Sequence, residues 1–288
     1  MIINRILIFK GTKNYCNQRG MPMRRLRASK EAIKKEIREH RSSFFVYIFL
    51  RTLVLITMVL QIFNQNYENT FLCILTLFLM IIPSFIQVEF KIELPSTLEI
   101  IILLFIFSAE ILGEIQSFYI RVPVWDTILH TLNGFLAAAI GFSLVDLMNK
   151  DTRIKFQLSP LFMAIVAFCF SMTIGVIWEF FEFGMDTFAG LDMQKDTIIN
   201  HITSVTLDPT KTNIPITIDG IKEVIINGKA LGVGGYIDIG LIDTMYDLFV
   251  NFIGAIVFSF FGYFYVVNRG KGNFVNRFIP RLKDRDHH

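Results

Sequence analysis

Cysteine is close to absent. Cys16, Cys73 and Cys169 are the three in 288 residues, and their spacing fits neither a disulfide framework nor a thiolate metal site. Both kinds of chemistry are therefore set aside. The sequence also lacks a P-loop, a G-x-S-x-G elbow, an H-E-x-x-H pair and a dinucleotide fingerprint, which removes the common nucleotide-dependent and serine-hydrolase readings. No small-residue cleavage site follows the long basic N-terminus, so insertion through uncleaved helices is expected, with Met21 and Met23 as alternative starts to Met1. Lysine and arginine are missing from the polar faces of the later apolar blocks. Whatever balances the carboxylates there is a proton, a metal ion, an imidazolium or a bound cation.

Apolar residues are abundant. They make up 53% of the chain, phenylalanine alone occurs 30 times, and they fall into blocks about as long as a bilayer is thick. This pattern predicts an all-α integral membrane protein, a six-span helical bundle with spans near 43–64, 70–87, 98–119, 124–147, 160–183 and 241–267. Arg51 in the first span can snorkel or pair.

Charge sets the expected orientation. Residues 1–42 form a basic segment, from Arg5 and Lys10 through Arg24, Arg25 and Arg27 to Arg38 and Arg41, opposed by Glu31, Glu36 and Glu39. The connection 148–159 carries Lys150, Arg153 and Lys155, and the tail 268–288 carries Arg269, Lys271, Arg277, Arg281, Lys283 and Arg285. Six spans bring all three to one side, so the positive-inside rule gives N-in, C-in. The basic N-terminal segment reads as an anchor on anionic lipid, and no nucleic-acid partner is expected. The transmembrane domain is 43–267, with an extracytoplasmic insertion at 184–240. Within the insertion, NIPIT and EVIIN next to Asp219-Gly220 and Asn227-Gly228 predict a small β-hairpin or three-stranded meander over 213–233. The glycines at 232, 234, 235 and 240 make a flexible approach to the last span.

The stretch Asp243–Gly254, DTMYDLFVNFIG, focuses the functional reading. Asp243, Asp247 and Asn251 recur every four residues and share one helix face. Intramembrane carboxylates are costly and by default mark a functional site. Topology brings three other sets to the same end: Glu110 and Glu114 closing span 3, Asp126, His130, Asn133 and Gly134 opening span 4, and Glu179, Glu182 and Asp186 closing span 5. At 1.5 Å per residue, His130, Glu179, Asp247 and Asn251 lie roughly 6–15 Å below the extracytoplasmic surface. Such oxygen and nitrogen donors without thiolate suit a divalent metal ion, Mg²⁺, Mn²⁺ or Zn²⁺. The metal-ligand candidates are Asp126, His130, Glu179, Glu182, Asp243 and Asp247. The acid–base candidates are His130, Asp126, Glu179 and Asp247, and Asp126 can also orient the imidazole. Glu110, Glu114, Asn251, Gly134 and Gly254 are supporting residues. Asp126, Asp186 and Asp243 equally suit caps at helix ends, and Asn251 and Gly254 suit helix packing. Trp125 and Trp178 fit an interfacial aromatic belt.

At WDTILHTLNGF, WEFFEFGMD and IDTMYDLFVNFIGA the chain resembles the uncharacterised bacterial inner-membrane family typified by YjdF. More distantly it is similar to the VanZ-like membrane proteins. The matching positions are Asp126, His130, Gly134, Glu179, Glu182, Asp243, Asp247, Asn251 and Gly254, within about 98–267. The resemblance implies a bacterial plasma-membrane location and a shared site, and supplies no reaction. Three functions compete: an enzyme acting at the outer leaflet on a lipid-linked or envelope substrate, a structural or sensory protein whose polar cluster fixes helix packing, and a proton- or cation-coupled transporter. Membrane lipids are the expected partners. The transporter would need stepping groups toward the cytoplasm, and AAAIGFSLV and AIVFSFFGYF offer little, with no carboxylate except Asp146 at the interface.

Overall fold

The computed structural model describes residues 41–89, 92–150, 158–268 and 274–282. The basic segment 1–40, Arg153 and Lys155 of the 148–159 connection, and Arg269, Lys271, Lys283 and Arg285 of the tail lie outside the described residues. Eight α-helices occur among those described: α1 (Arg41–Phe63), α2 (Tyr67–Leu79), α3 (Ile82–Glu89), α4 (Ser96–Phe107), α5 (Phe118–Arg121), α6 (Trp125–Lys150), α7 (Pro160–Gly184) and α8 (Leu241–Val267).

Five helical stretches are long and apolar enough to cross a membrane: Ser42–Phe63, Tyr67–Glu89, Trp125–Asn149, Pro160–Ala189 and Leu241–Val267. The expected third span differs from a plain helix. Its α-helical part, α4, has 12 residues and continues as an eight-residue π-helix, Ser108–Ile115. Its end is marked by the i→i+5 bond from Gln116 N–H to Ile111 O, 3.0 Å, and by the left-handed backbone of Ser117 (φ 57°). The second span is broken between α2 and α3. Pro83 stands in the first turn of α3, where its missing N–H costs least.

Local chemistry sets the other helix starts. Asn66 caps α2 by accepting from Asn69 N–H at 3.0 Å. Ser159 caps α7, accepting from Phe162 N–H at 3.3 Å, with Pro160 as the first helical residue. Gly240 precedes α8 in a left-handed conformation (φ 78°).

The helices pack around two cores. Leu50, Val54, Cys73, Met80, Leu103 and Ile111 join α1, α2 and the α4–π segment. Arg51 in α1 is satisfied by Tyr47, whose hydroxyl accepts from its guanidinium and whose ring lies beside it. The second core joins α6, α7 and α8 through Leu136, Ala138, Phe142, Met163, Ala167, Ala255 and Phe258. Here backbones approach closely. A Cβ on Gly134 would stand 2.1 Å from Asn251 O, and one on Gly254 would stand 2.1 Å from Thr131 O. Small residues at a helix crossing permit this contact where apolar lipid supplies no hydrophobic drive.

The tail departs from its reading as a basic cytoplasmic segment alone. Val275, Phe278 and Ile279 are buried in the second core. The Phe278 ring meets Phe135 at 5.1 Å and Phe258 at 6.1 Å. Beyond it, β8 (Arg281–Leu282) pairs antiparallel with β1 (Ile92–Glu93).

The insertion between α7 and α8 also differs in detail. The NIPIT stretch does not pair across Asp219-Gly220. Its last two residues open β4 (Ile216–Asp219), antiparallel to the earlier β3 (His201–Ser204). Asn227-Gly228 does turn a hairpin, joining β5 (Ile225–Ile226) to β6 (Lys229–Ala230). At its base, β2 (Ile198–Ile199) pairs with β7 (Tyr236–Ile237), which closes the insertion on itself.

Candidate functional site

Helices α6 and α8 run one way and α7 the other, and this brings the start of two and the end of one together. His130, in the second turn of α6, is at the centre and 8% exposed. Its Nε2 lies 3.5 Å from Asp126 Oδ1 and 3.8 Å from Asp247 Oδ2. Its Nδ1 lies 3.9 Å from Glu179 Oε1. Glu182 completes a second group with His130 and Glu179, as Asp126 and Asp247 complete the first; within each group the donor atoms lie within 4.8 Å of one another. Glu179, Glu182 and Asp247 are buried, and Asp126 is half-buried at the mouth.

These separations exceed ordinary hydrogen bonds. Two donors bound at 2.0–2.2 Å to one metal stand about 3–3.5 Å apart, a spacing that His130 Nε2 and Asp126 Oδ1 match and that the 3.8 and 3.9 Å pairs exceed. No lysine or arginine pairs with these four carboxylates among the described residues, and Glu179 Oε2 is buried without a hydrogen-bond partner.

The other expected residues take distinct places. Asp243 Oδ2 accepts from Lys195 N–H at 2.7 Å, and Asp243 belongs to neither donor group. Asp186 accepts from Met193 N–H at 2.6 Å and Gln194 N–H at 2.9 Å, so it holds the loop that follows α7 and caps no helix start. Asn251, fully buried, accepts from Asn133 Nδ2 at 3.2 Å and faces Met172 Sδ at 3.7 Å. Ser171 Oγ donates to Gly134 O at 2.7 Å. Asn251, Gly134 and Gly254 thus form the packed floor beneath the cluster. Glu110 and Glu114 sit on the π-helix and join neither donor group; Glu114 is exposed.

Three participants escape a reading of spacing alone. The Trp178 indole N–H donates to Glu182 Oε1 at 3.0 Å, one turn along α7, so this tryptophan does more than mark an interface. Tyr119 stands among Glu110, Glu114, Asp126 and Glu182, its ring seated where a Gly113 Cβ would intrude to 2.3 Å. Gln194 Nε2 donates to Thr244 Oγ1 at 2.5 Å, tying the insertion to α8. The i,i+4 spacing of Trp178 and Glu182 was visible in the sequence; the other two contacts depend on tertiary placement.

The chain belongs to the family described as predicted membrane protein (DUF2238), whose pattern matches residues 46–268. That span takes in four of the five helical stretches long enough to cross a membrane, all but the first four residues of the other, and every residue of the cluster. The chain is also similar to an uncharacterized protein of Thermotoga maritima, 26% identical over 94 residues. That match covers 33% of this chain and 46% of the relative's length. No solved structure matches the chain. Neither match names a VanZ-like protein, and the chemistry of the site does not rest on that likeness. The protein is therefore a multi-pass membrane protein of this family.

Proposed function

We propose that the protein is a YjdF-type enzyme of the bacterial plasma membrane. In this reading the cluster binds one divalent metal ion near the extracytoplasmic leaflet and acts on a lipid-linked or envelope substrate. The observation that carries it is the arrangement of His130 among Asp126, Asp247 and Glu179 at 3.5–3.9 Å, without a basic partner among the described residues. A neutral imidazole offers one ring nitrogen to a metal and its N–H to an outer carboxylate. Nε2 with Asp126 and Asp247 makes a three-donor set that leaves a position open, the pattern of catalytic sites. Asp126 is the half-buried, most exposed member of that set. Nδ1–H then points to Glu179, which fixes the tautomer. A metal bound here would acidify water or polarise a substrate oxygen. Glu182, held by Trp178, is the nearest carboxylate left to accept a proton.

The six-span, N-in and C-in arrangement belongs to the same proposal. The α4–π segment, 20 residues from Ser96 to Ile115, serves as the third crossing. A cysteine placed at exposed Thr212 is expected to react with an impermeant thiol reagent in intact cells; protection there would put the cluster at the cytoplasmic leaflet instead.

A structural role is supported by the Asn133–Asn251 bond and the close glycine contacts just beneath the cluster. A through-path for ions is disfavoured by the apolar core around Phe142, Phe258 and Phe278, beyond which Asp146 is the buried carboxylate among the described residues of α6. Metal analysis of detergent-purified protein separates the first two readings. Wild type is expected to carry a divalent ion in near-stoichiometric amount and His130→Ala to lose it. A metal-free wild type whose melting temperature ignores Mg²⁺, Mn²⁺ and Zn²⁺ overturns the enzyme reading.

A further inference from the structure

The segment following α7 does not simply leave the bundle. Asp186 holds the backbone N–H groups of Met193 and Gln194, Asp243 holds that of Lys195, and Asp238 holds that of Thr197 at 2.7 Å. Three carboxylates from both sides of the insertion thus tie residues 193–197 down as a strap beside the cluster. The strap is seated tightly, because a Cβ on Gly240 would stand 2.6 Å from Gln194 Cβ.

What the strap brings is the Gln194 side chain. Its amide donates to Thr244 Oγ1 at 2.5 Å, so Thr244 spends one lone pair and keeps its own hydrogen to donate. Thr244 and Gln194 both stand beside the Glu179 carboxylate. Glu179 is 5% exposed, and its Oε2 lacks a donor. Thr244 thus has a hydrogen to give in the neighbourhood of a buried carboxylate that has one oxygen without a donor. The other Glu179 oxygen faces His130 Nδ1.

We propose that Gln194 and Thr244 are positioning residues for the cluster, acting as a hydrogen-bonded chain from Gln194 through Thr244 to Glu179 and so to His130. The insertion is then a working wall of the site. Carboxylates that orient a ligating histidine are themselves hydrogen-bonded, and losing such an outer partner weakens metal binding by about 10- to 100-fold. The metal readout rests on the ion-site reading above; a second readout does not.

The test uses full-length protein in detergent and Co²⁺ as the probe. Thr244→Val keeps the side-chain shape and removes the hydroxyl, whereas Thr244→Ser keeps the hydroxyl. Thr244→Val and Gln194→Leu are expected to weaken Co²⁺ binding about tenfold or more and to alter its visible absorption, with Thr244→Ser close to wild type. Equal binding by wild type and Thr244→Val, or equal weakness of the valine and serine variants, overturns the chain. Should wild type bind no Co²⁺, the ion-site reading fails, and the chain is judged by melting in chelator. Thr244→Val and Glu179→Gln are then expected to be non-additive in a double-mutant cycle, as contacting partners are. Additive effects would overturn the inference.

Discussion

The two ends of the α6–α7–α8 bundle are built from the same three helices and do opposite things. At one end, Asp126, His130, Glu179, Glu182 and Asp247 gather buried or half-buried charge with donors 3.5–3.9 Å apart. At the other, Phe142, Phe258 and Phe278 meet edge to face with centroids 6.0–6.1 Å apart, and the tail itself closes the core. Edge-to-face rings satisfy one another through their quadrupoles. The polar end has separations that ordinary hydrogen bonds do not explain. The contrast sets a packed aromatic end against a polar end to which the proposed chemistry belongs, with the Gly134, Asn251 and Gly254 floor between them.

The largest effect is expected in the aromatic end. Phe258→Ala removes a fully buried ring in contact with Phe135, Phe142 and Phe278. Cavity formation of this kind costs about 3–5 kcal/mol. Melting in detergent should show that loss, while metal stoichiometry of the protein that remains folded stays at the wild-type value. A loss below about 1 kcal/mol, or metal lost in folded protein, would break the division between the two ends.

At the polar end the sign should depend on metal. With an ion at about 100 times its dissociation constant, binding stabilises the fold by about 2.7 kcal/mol. Asp247→Asn is expected to forfeit most of that. In chelator the same change should be neutral or stabilising, because it relieves a buried carboxylate of its neighbours. An Asp247→Asn variant with the same melting temperature in metal and chelator, beside a wild type that behaves likewise, would reduce the polar end to packing.

The floor gives a third measurement. Gly134→Ala would put a carbon 2.1 Å from a backbone oxygen, so the helices must part, at a cost of about 1–3 kcal/mol. Asn133→Ala removes a hydrogen bond whose coupling inside a membrane bundle is about 0.6 kcal/mol and leaves the buried Asn251 oxygen without that donor, so about 1 kcal/mol is expected. A reversed order in thermal melting would mean that the floor is held by polar bonds more than by close approach.

Much of the polar end was legible because helical periodicity is local. Asp126 with His130, Glu179 with Glu182, and Asp247 with Asn251 are one turn apart in sequence, and topology alone brings those turns to one level. Asp243 shows the limit. Its spacing matches the stripe, yet its carboxylate is taken by Lys195 N–H, a partner 48 residues away that no period reveals. Gln194 and Thr244, 50 residues apart, were invisible for the same reason. The tail was misread through composition. FVNRFIP lies between basic residues, and nothing local announces that Val275, Phe278 and Ile279 have a core to enter. In the insertion, Asn227-Gly228 is a tight-turn dipeptide and does turn a hairpin, but β-branched content could not say that β4 pairs backward with β3.

The smallest effect concerns the insertion away from the strap, where a carboxylate serves structure alone and so provides a control for those of the cluster. Asp208 is covered by its own loop, with little of the rest of the molecule around it. It accepts from Thr210 Oγ1 at 2.5 Å and from the backbone N–H groups of Thr210, Thr212 and Ile214 at 2.9, 2.9 and 3.2 Å. The Thr210 hydroxyl first, and these amides with it, hold its carboxyl well below the usual carboxylate range. All of these donors favour the charged form. A group whose folded pKa lies below its unfolded value gives stability that is complete above the unfolded pKa, about 4 for aspartate, and is lost as pH falls toward the folded value. Hydrogen exchange at Thr210, Thr212 and Ile214 should therefore be indifferent to pH above about 5, once corrected for intrinsic exchange, and should lose protection below about 4. Asp208→Asn retains a carbonyl acceptor and should flatten that acid limb while leaving Co²⁺ binding at the cluster unchanged. Protection that persists unaltered to low pH in wild type would show that the loop is held by β3 and β4 and not by Asp208. Co²⁺ binding that weakens in the variant would show that the whole insertion, and not only the strap, supports the site.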